Sequence, residues 1–355
     1  MKIAQVSPLY ESVPPKRYGG TESVIHHLTE ELISRGHEVT LFASGDSVTS
    51  AKLVPACKNA LRLDADCIDP FVHHFNMMEM VEKEARSFDI IHSHIDYLYF
   101  PIMRRSENTY LTTLHGRLDI PELDPLFREY KDIPLVSISN SQRKPFPYSN
   151  WMGTVFYGLP LDLYNFNKEG GDYLVFVGRI SPEKRIDRAI EIAKKAGIQI
   201  KIAAKVDKVD NDYFELKIKK LLDHPLVDFI GEVGEKEKEE LLGNALGFIY
   251  PIDWPEPFGL AMIEAMACGT PVLAYNCGSV PEVLDEGITG FGVNSMREAV
   301  AAVYRLSSLD RRKCRDAFER KFSVQRMADD YLTIYESMIN ELDIKKIALS
   351  DSLSF

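Results

Sequence analysis

The stretch W-P-E-P-F-G-L-A-M-I-E-A-M-A-C-G-T-P at 254–271 places two carboxylates, Glu256 and Glu264, on either side of a helix start. With the helix beginning near Phe258, Glu256 lies just outside it and Glu264 about two turns in. The N–H groups around Phe258, Gly259 and Leu260 then lack partners within the helix and carry the positive end of its dipole. That suits a phosphate, and Gly259 lets the backbone come close. Glu256 is thereby placed to hold a sugar hydroxyl near the phosphate, and Glu264 a ribose diol farther along the ligand. The purely structural alternative is a capping Glu256 and a solvated Glu264.

A second cluster, V-G-R-I-S-P-E-K at 177–184, leaves a strand and enters a helix. Arg179 brings a planar fork and Lys184 a point charge, and both can converge on one diphosphate, neutralising it as it leaves. Read structurally, they are a surface pair on a βα loop. Near the amino terminus, Y-G-G-T-E at 18–22 offers Gly19 and Gly20 for close approach to a phosphate or sugar, or is a plain loop. It is not G-x-G-x-x-G, and no acidic residue is placed for the ribose of a nicotinamide cofactor. His92 and His94 in I-I-H-S-H and His115 in T-T-L-H-G end strands. His94 and His115 would project toward a ligand and bond a sugar hydroxyl or position an acceptor. Each taken alone is equally a satisfied structural histidine. A zinc site lacks a third ligand at supporting spacing. Asp64-Ala-Asp66 and Asp210-Asn-Asp212 match the loose D-x-D pattern of metal-dependent sugar transfer, but neither follows a clear strand end, and both read as turn or solvated residues. No G-x-S-x-G elbow or P-loop is present.

The elements that must position these residues alternate. A strand at 2–7, a helix at 21–35 with Val24, Ile25, Leu28 and Leu32 on one face, Gly36 as its stop, and a strand at 38–43 make a βαβ unit. Further strands at 89–92, 110–114, 135–139 and 154–157 have the continuous apolar character of a parallel sheet covered on both faces. After a loop rich in Gly, Pro and Asn at 158–171 the alternation resumes. Strands at 173–177, 198–203, 227–230, 247–250 and 272–275 follow, with Ile186, Ala189, Ile190 and Ala193 on one helix face. The sequence predicts an N-terminal Rossmann-like domain over 1–158, a linker over 159–171 and a C-terminal Rossmann-like domain over 172–322. A C-terminal helix and tail over 323–355 pack back toward the N-terminal domain. The fold class is α/β, two doubly wound domains facing a cleft, with ligands at the carboxyl ends of the strands. Met327, Tyr331, Ile334 and Met338 form a packing stripe near the end.

A chain of 355 residues, 45% hydrophobic and 27% charged, exceeds one typical core and fits this two-domain reading. The 53 acidic residues outnumber the 42 Lys plus Arg, for a net charge of −11, which argues against a nucleic-acid backbone or an anionic membrane as partner. No apolar run reaches membrane-spanning length, and residues 1–8 enter a strand without a signal-peptide pattern, so a cytoplasmic location is expected. The five cysteines show no C-x-x-C spacing and read as reduced thiols.

Taken in order, Y-G-G-T-E at 18–22, D-I-I-H-S-H at 89–94, L-H-G at 114–116, V-G-R-I-S-P-E-K at 177–184 and E-P-F-G-L-A-M-I-E-A-M-A-C-G-T-P-V at 256–272 resemble the retaining glycosyltransferases of family 4, which have the GT-B architecture. G-S-V-P-E-V-L at 278–284 and G-I-T-G-F at 287–291 continue the likeness, which covers nearly the whole chain. The resemblance implies a C-terminal domain that binds a nucleotide-activated sugar and an N-terminal domain that binds the acceptor. It further implies Arg179 and Lys184 on the diphosphate, Glu256 on the donor sugar, Glu264 on the ribose and Gly20, beside Gly19, toward the phosphates. His115, with His94, falls beside the transferred sugar, and Val233 in Gly231-Glu-Val233 near the base. Catalysis is thus expected from Glu256, His115, Arg179 and Lys184, without metal or cofactor. The expected route is front-face, in which the departing diphosphate oxygen helps to deprotonate the acceptor hydroxyl. A paired-carboxylate glycosidase would need its acid and nucleophile closer than about two helical turns. Where family members often carry Asn-Gly, this chain has F-Y-G-L-P at 156–160, and Tyr157 receives no ligand role.

The expected activity is transfer of a hexose from a nucleotide diphosphate sugar, UDP-glucose first, to a hydroxyl of a small molecule or glycan. A GDP-mannose-dependent mannosyltransferase and a non-catalytic sugar-nucleotide-binding protein are the alternatives. A GT-B phosphorylase would need a cofactor lysine context that the chain does not show.

Overall fold

The computed structural model describes residues 1–16, 19–62 and 64–352, with side chains through residue 341. Tyr18 of the motif at 18–22 and the side chains of the tail lie outside the described residues. The chain divides into two compact units, Met1–Pro160 with Val324–Phe355, and Leu161–Ser323.

In the first unit, strands β1 (Lys2–Val6), β2 (Glu38–Ser44), β3 (Lys52–Cys57), β4 (Ile90–Ser93), β5 (Tyr110–Thr113), β6 (Leu135–Ser137) and β7 (Trp151–Thr154) form a seven-stranded sheet in the order β3-β2-β1-β4-β5-β6-β7. Every pairing is parallel. The central strands are buried through Ile3, Ala4, Leu41, Phe42, Ile90 and Ile91, which explains their unbroken apolar runs. The helix Gly20–Ser34 turns Val24, Ile25, Leu28 and Leu32 inward. Gly36, at φ 84°, ends that turn in a conformation a side chain would strain. The long helix Val324–Ser352 belongs to this unit, and Met327, Tyr331 and Tyr335 are its buried stripe, with Tyr335 rather than Ile334 in the interior.

In the second unit, β8 (Leu174–Arg179), β9 (Ile200–Lys205), β10 (Val227–Gly231), β11 (Gly247–Tyr250), β12 (Val272–Tyr275) and β13 (Gly290–Val293) give a parallel sheet in the order β10-β9-β8-β11-β12-β13. The helix Ile186–Ala196 buries Ile186, Ala189, Ile190, Ile192 and Ala193 and stops at Gly197, φ 70°. From Leu161 onward, the stretch read as linker is packed into this unit. Arg315, buried, donates to the carbonyls of Leu161, Tyr164 and Ala267, and Arg311 to that of Asn167.

Several elements differ from the sequence expectation. The strand placed at 154–157 is β7, Trp151–Thr154, because residues 151–154 are the ones that pair with β6 while the chain beyond leaves the sheet. The edge strands β3 and β13 are added, as is the helix Pro70–Glu84, capped by the Asp69 carboxylate on the N–H of Phe71. Among the described residues no helix is long and apolar enough to cross a membrane.

Candidate functional site

Each sheet reverses its strand order at one point, between β1 and β4 in the first unit and between β8 and β11 in the second. At such a reversal neighbouring connections depart to opposite sides and leave a crevice at the carboxyl ends of the strands. In the second unit that position holds the charged residues singled out above. Arg179 is the last residue of β8, and Lys184 ends the short 3-10 turn Pro182–Lys184 that follows. The loop after β11 carries Trp254 and Glu256, and the two loops are tied where the N–H of Asp253 donates to the carbonyl of Glu183, 3.0 Å.

Lys184 Nζ lies 2.5 Å from Glu256 Oε2, with both side chains largely buried and the ammonium near the rings of Tyr250 and Trp254. Arg179 is ringed by carboxylates: its Nη2 donates to Glu183 Oε1 at 2.6 Å, its Nη1 lies 3.7 Å from Asp207 and its Nε 3.6 Å from Asp210. Burial pushes the Asp210 carboxyl up despite the guanidinium beside it. Asp210 therefore does not stand in solvent, as its D-x-D reading had it. It faces Arg179 because the chain leaving β9 curls back beside the end of β8. Asp64 does cap a turn, accepting from the N–H of Asp66.

The helix after Glu256 begins at Leu260, not near Phe258. Gly259 caps it at φ 87°, where a Cβ would approach Met262 Cε to 2.7 Å. The Phe258 ring is buried against Phe322, so only its backbone faces the loop. Glu264 consequently sits little more than about one turn in rather than two. It is buried, with Oε1 accepting from Lys238 Nζ at 2.8 Å, while Lys238 also reaches Glu235 at 3.0 Å. Burial opposes the Lys238 charge, and the two carboxylates outweigh it and hold the ammonium above its ordinary range. The Tyr164 hydroxyl completes the group on Glu235. The Glu256 loop is pinned from the other side: Ser279 N donates to the Glu256 carbonyl and Ser279 Oγ to that of Phe258. Gly278, φ 60°, lies so close that a Cβ there would fall 2.4 Å from both N and O of Glu256. Val233 is half-buried in the loop between β10 and the helix Glu235–Gly243.

In the first unit, Gly19 caps the helix that Gly20 begins, and a Cβ on Gly19 would press to 2.7 Å of Pro15. Glu22, one turn in, is buried, and its carboxyl rises to about 7 through burial, with the nearby Glu11 adding to the rise. At the ends of β4 and β5 the structure brings His94 and His115 together, His94 Nδ1 to His115 Nε2 at 2.9 Å. His94 Nε2 meets Gln5 Oε1 at 2.7 Å, and His115 Nδ1 meets the Tyr157 hydroxyl at 2.7 Å. Burial drives His115 down to about 3 and His94 well below the ordinary histidine range. His92 is enclosed by Tyr335 and Thr113 at 2.6 and 2.7 Å and is a core histidine. Asp96, at φ 50°, accepts from the N–H of His115, and burial lifts its carboxyl to about 6. Gln5, Asp96, Asp207 and Lys238 escaped the motif reading, and Tyr157, given no ligand role there, meets His115. Only Gln5 carried a signal, as a lone amide in the buried strand K-I-A-Q-V.

The sequence matches two family models in succession. "Glycosyltransferase Family 4" covers residues 18–153, and "Glycosyl transferases group 1" covers residues 165–321. A protein of the cps region of Klebsiella pneumoniae, of 41.2 kDa and uncharacterised, is 31% identical over 171 residues; the match spans 46% of each chain, under half the length of that relative. Among solved structures, sucrose-phosphate synthase from Thermosynechococcus elongatus aligns with TM-score 0.77 and 16% identity over 96% of this chain and 99% of that one. Anabaena HepE, solved in complex with UDP, aligns with TM-score 0.72 and 15% identity over 95% of this chain and all of that one. At such identities the structural likeness is one of fold. With both family models matched in order and the fold shared with the solved glycosyltransferases, the chain belongs to the group 1, family 4 glycosyltransferases and is built of two Rossmann-like domains of the GT-B type.

Proposed function

We propose that the protein is a retaining hexosyltransferase that takes its sugar from a nucleotide diphosphate donor, UDP-glucose, and passes it to a hydroxyl of a small molecule or glycan. The observation that carries this reading is that Arg179, which ends β8, and the Lys184–Glu256 pair, 2.5 Å apart, lie on the loops at the strand-order reversal of the second unit. Two cations there neutralise the departing diphosphate, the guanidinium as a bidentate fork and the ammonium as a point charge. Glu256 accepts from a hydroxyl of the donor sugar. Glu264, fixed by Lys238, accepts from the ribose diol, and the N–H groups at Leu260 face phosphate. Val233 lies by the base. UDP is favoured over GDP because HepE, of like fold, was solved with UDP and with UDP-glucose.

The first unit takes the acceptor, with His115 and His94 beside the transferred sugar and Gly19 and Gly20 toward the phosphates. Departure of the diphosphate and attack of the hydroxyl occur on one face of the sugar, and the diphosphate oxygen receives the hydroxyl proton. Because Arg179 and Lys184 supply the positive charge, turnover in EDTA equals turnover without it. The deciding experiment is a panel of nucleotide sugars scored by thermal shift and slow hydrolysis. A shift with UDP-glucose carries the reading, one with GDP-mannose alone moves the donor to that nucleotide, and no shift with any donor overturns it.

A further inference from the structure

The polar side chains at the carboxyl ends of β1, β4 and β5 form one connected series, and its geometry fixes where the protons sit. Gln5 Nε2 faces the Tyr335 hydroxyl at 3.4 Å, which leaves Gln5 Oε1 toward His94 Nε2 at 2.7 Å. An amide oxygen only accepts, so the proton on that contact belongs to His94 Nε2. A neutral imidazole has one donor and one acceptor, so His94 Nδ1 accepts, and the atom opposite it at 2.9 Å, His115 Nε2, donates. His115 Nδ1 is thereby left as an acceptor, and the group that donates to it is the hydroxyl of Tyr157 at 2.7 Å.

We infer that Tyr157 is a positioning residue: by donating to His115 Nδ1 it locks His115 and His94 in the Nε2–H tautomer, with both rings left neutral by burial. The consequence for catalysis rests on the proposed function. As the sugar–diphosphate bond breaks, positive charge develops on the sugar, and an imidazolium beside it would oppose that charge, whereas a neutral ring with an oriented dipole does not.

Burial alone already disfavours the charged forms. The hydroxyl adds a specific effect, because donation to Nδ1 occupies the atom that would be protonated. The groups around the pair are His92 and Asp96 from β4 and the turn after it, Tyr331 and Tyr335 from the terminal helix, and Arg326, which donates to the carbonyls of Phe156 and Tyr157. All of them persist in Tyr157→Phe, so a difference between variant and parent isolates the hydroxyl.

The test is 15N-edited NMR of the imidazoles in the full chain, together with pH profiles of transfer. In the parent, His94 and His115 are expected as Nε2–H from about pH 7 down to about pH 5, without titrating. In Tyr157→Phe, His115 is expected to populate the Nδ1–H form and, because its burial persists, to stay uncharged in that range. kcat is expected to fall about tenfold across that range through the lost ring orientation, with donor KM unchanged. A parent His115 found as Nδ1–H overturns the proton order, and unchanged tautomers and profile in the variant overturn the role of Tyr157. The spectra of the parent need neither a variant nor turnover, so a chain that transfers no sugar refutes the proposed function while leaving the tautomer decided.

Discussion

Replacing Glu256 by Gln separates two effects that most substitutions in a binding site would confound. In the resting protein the Glu256 carboxylate is bound to the Lys184 ammonium at 2.5 Å, with side-chain exposures of 13% and 17%. A diphosphate that recruits Lys184 must loosen that pair. For a pair at the edge of solvent the interaction contributes about 1 kcal/mol. Glutamine keeps the shape and one acceptor oxygen but removes the charge, so Lys184 is released, and UDP is expected to bind about fivefold more tightly, the equivalent of about 1 kcal/mol. Turnover moves the other way. A hydrogen bond from a sugar hydroxyl to a carboxylate contributes roughly 1.5–3 kcal/mol and one to a neutral amide oxygen roughly 0.5–1.5, so the weakened bond in the transition state lowers kcat by roughly 5- to 12-fold. Calorimetric titration with UDP and initial rates at saturating donor measure the two separately. Weaker UDP binding in proportion to the lost turnover would show that Glu256 does not compete with the diphosphate for Lys184, and an unchanged kcat would remove Glu256 from the reaction.

Arg179→Ala should lower donor affinity and kcat together, since the guanidinium is proposed to meet the diphosphate both before and after bond breaking; a change confined to one of the two refutes that double role. Gly278→Ala should displace the Glu256 loop, because a Cβ would stand 2.4 Å from the Glu256 backbone at φ 60°. A kcat loss of about tenfold or more with a lowered Tm is expected, and a variant with parental activity would show that the loop tolerates displacement. Glu22→Gln tests linkage. Its carboxyl, raised to about 7 in the fold, holds a proton that the unfolded chain releases near its ordinary pKa of 4.5, so stability falls as pH rises between those values. The glutamine variant should therefore have the higher Tm at about pH 8 and lose that advantage at about pH 4, and an advantage independent of pH would refute the assignment.

The central strands were legible because a parallel strand covered on both faces is apolar at most positions, and I-A-Q-V, I-I-H-S and V-F-V-G carry that mark despite the buried Gln5, His92 and Ser93. The edge strands were not. In β3 the residues Lys52–Cys57 are only half-buried and include Pro55, and in β13 two of four residues are Gly, so neither alternation nor an apolar run survives. The helix Pro70–Glu84 was hidden for another reason. Its inward residues His74, Met77, Met78 and Val81 are mixed with exposed Phe71, Val72 and Phe75, which blurs the stripe on which a 3.6-residue period depends.

At the site, sequence identified the charges but not their resting partners. Arg179, Lys184, Glu256 and Glu264 lie in motifs whose local order survives in the one-dimensional string. Glu183, Asp207, Asp210 and Lys238, which hold two of them, Arg179 and Glu264, come from the turn after β8, a loop after β9 and a separate helix, and for all but Glu183 only the sheet order brings them near. The difference is physical rather than a matter of bookkeeping. A guanidinium standing alone in a crevice would bind any anion, whereas one already facing three carboxylates favours a ligand only by the margin between old and new contacts. A single phosphate gives Arg179 little that Glu183 does not already give it. A diphosphate that also engages Lys184 and the Leu260 N–H groups replaces several contacts at once. Under the proposed function, the prior pairing of each charge would make the second unit prefer a group with two phosphates over the monophosphates and carboxylates that a bare pair of cations would also accept.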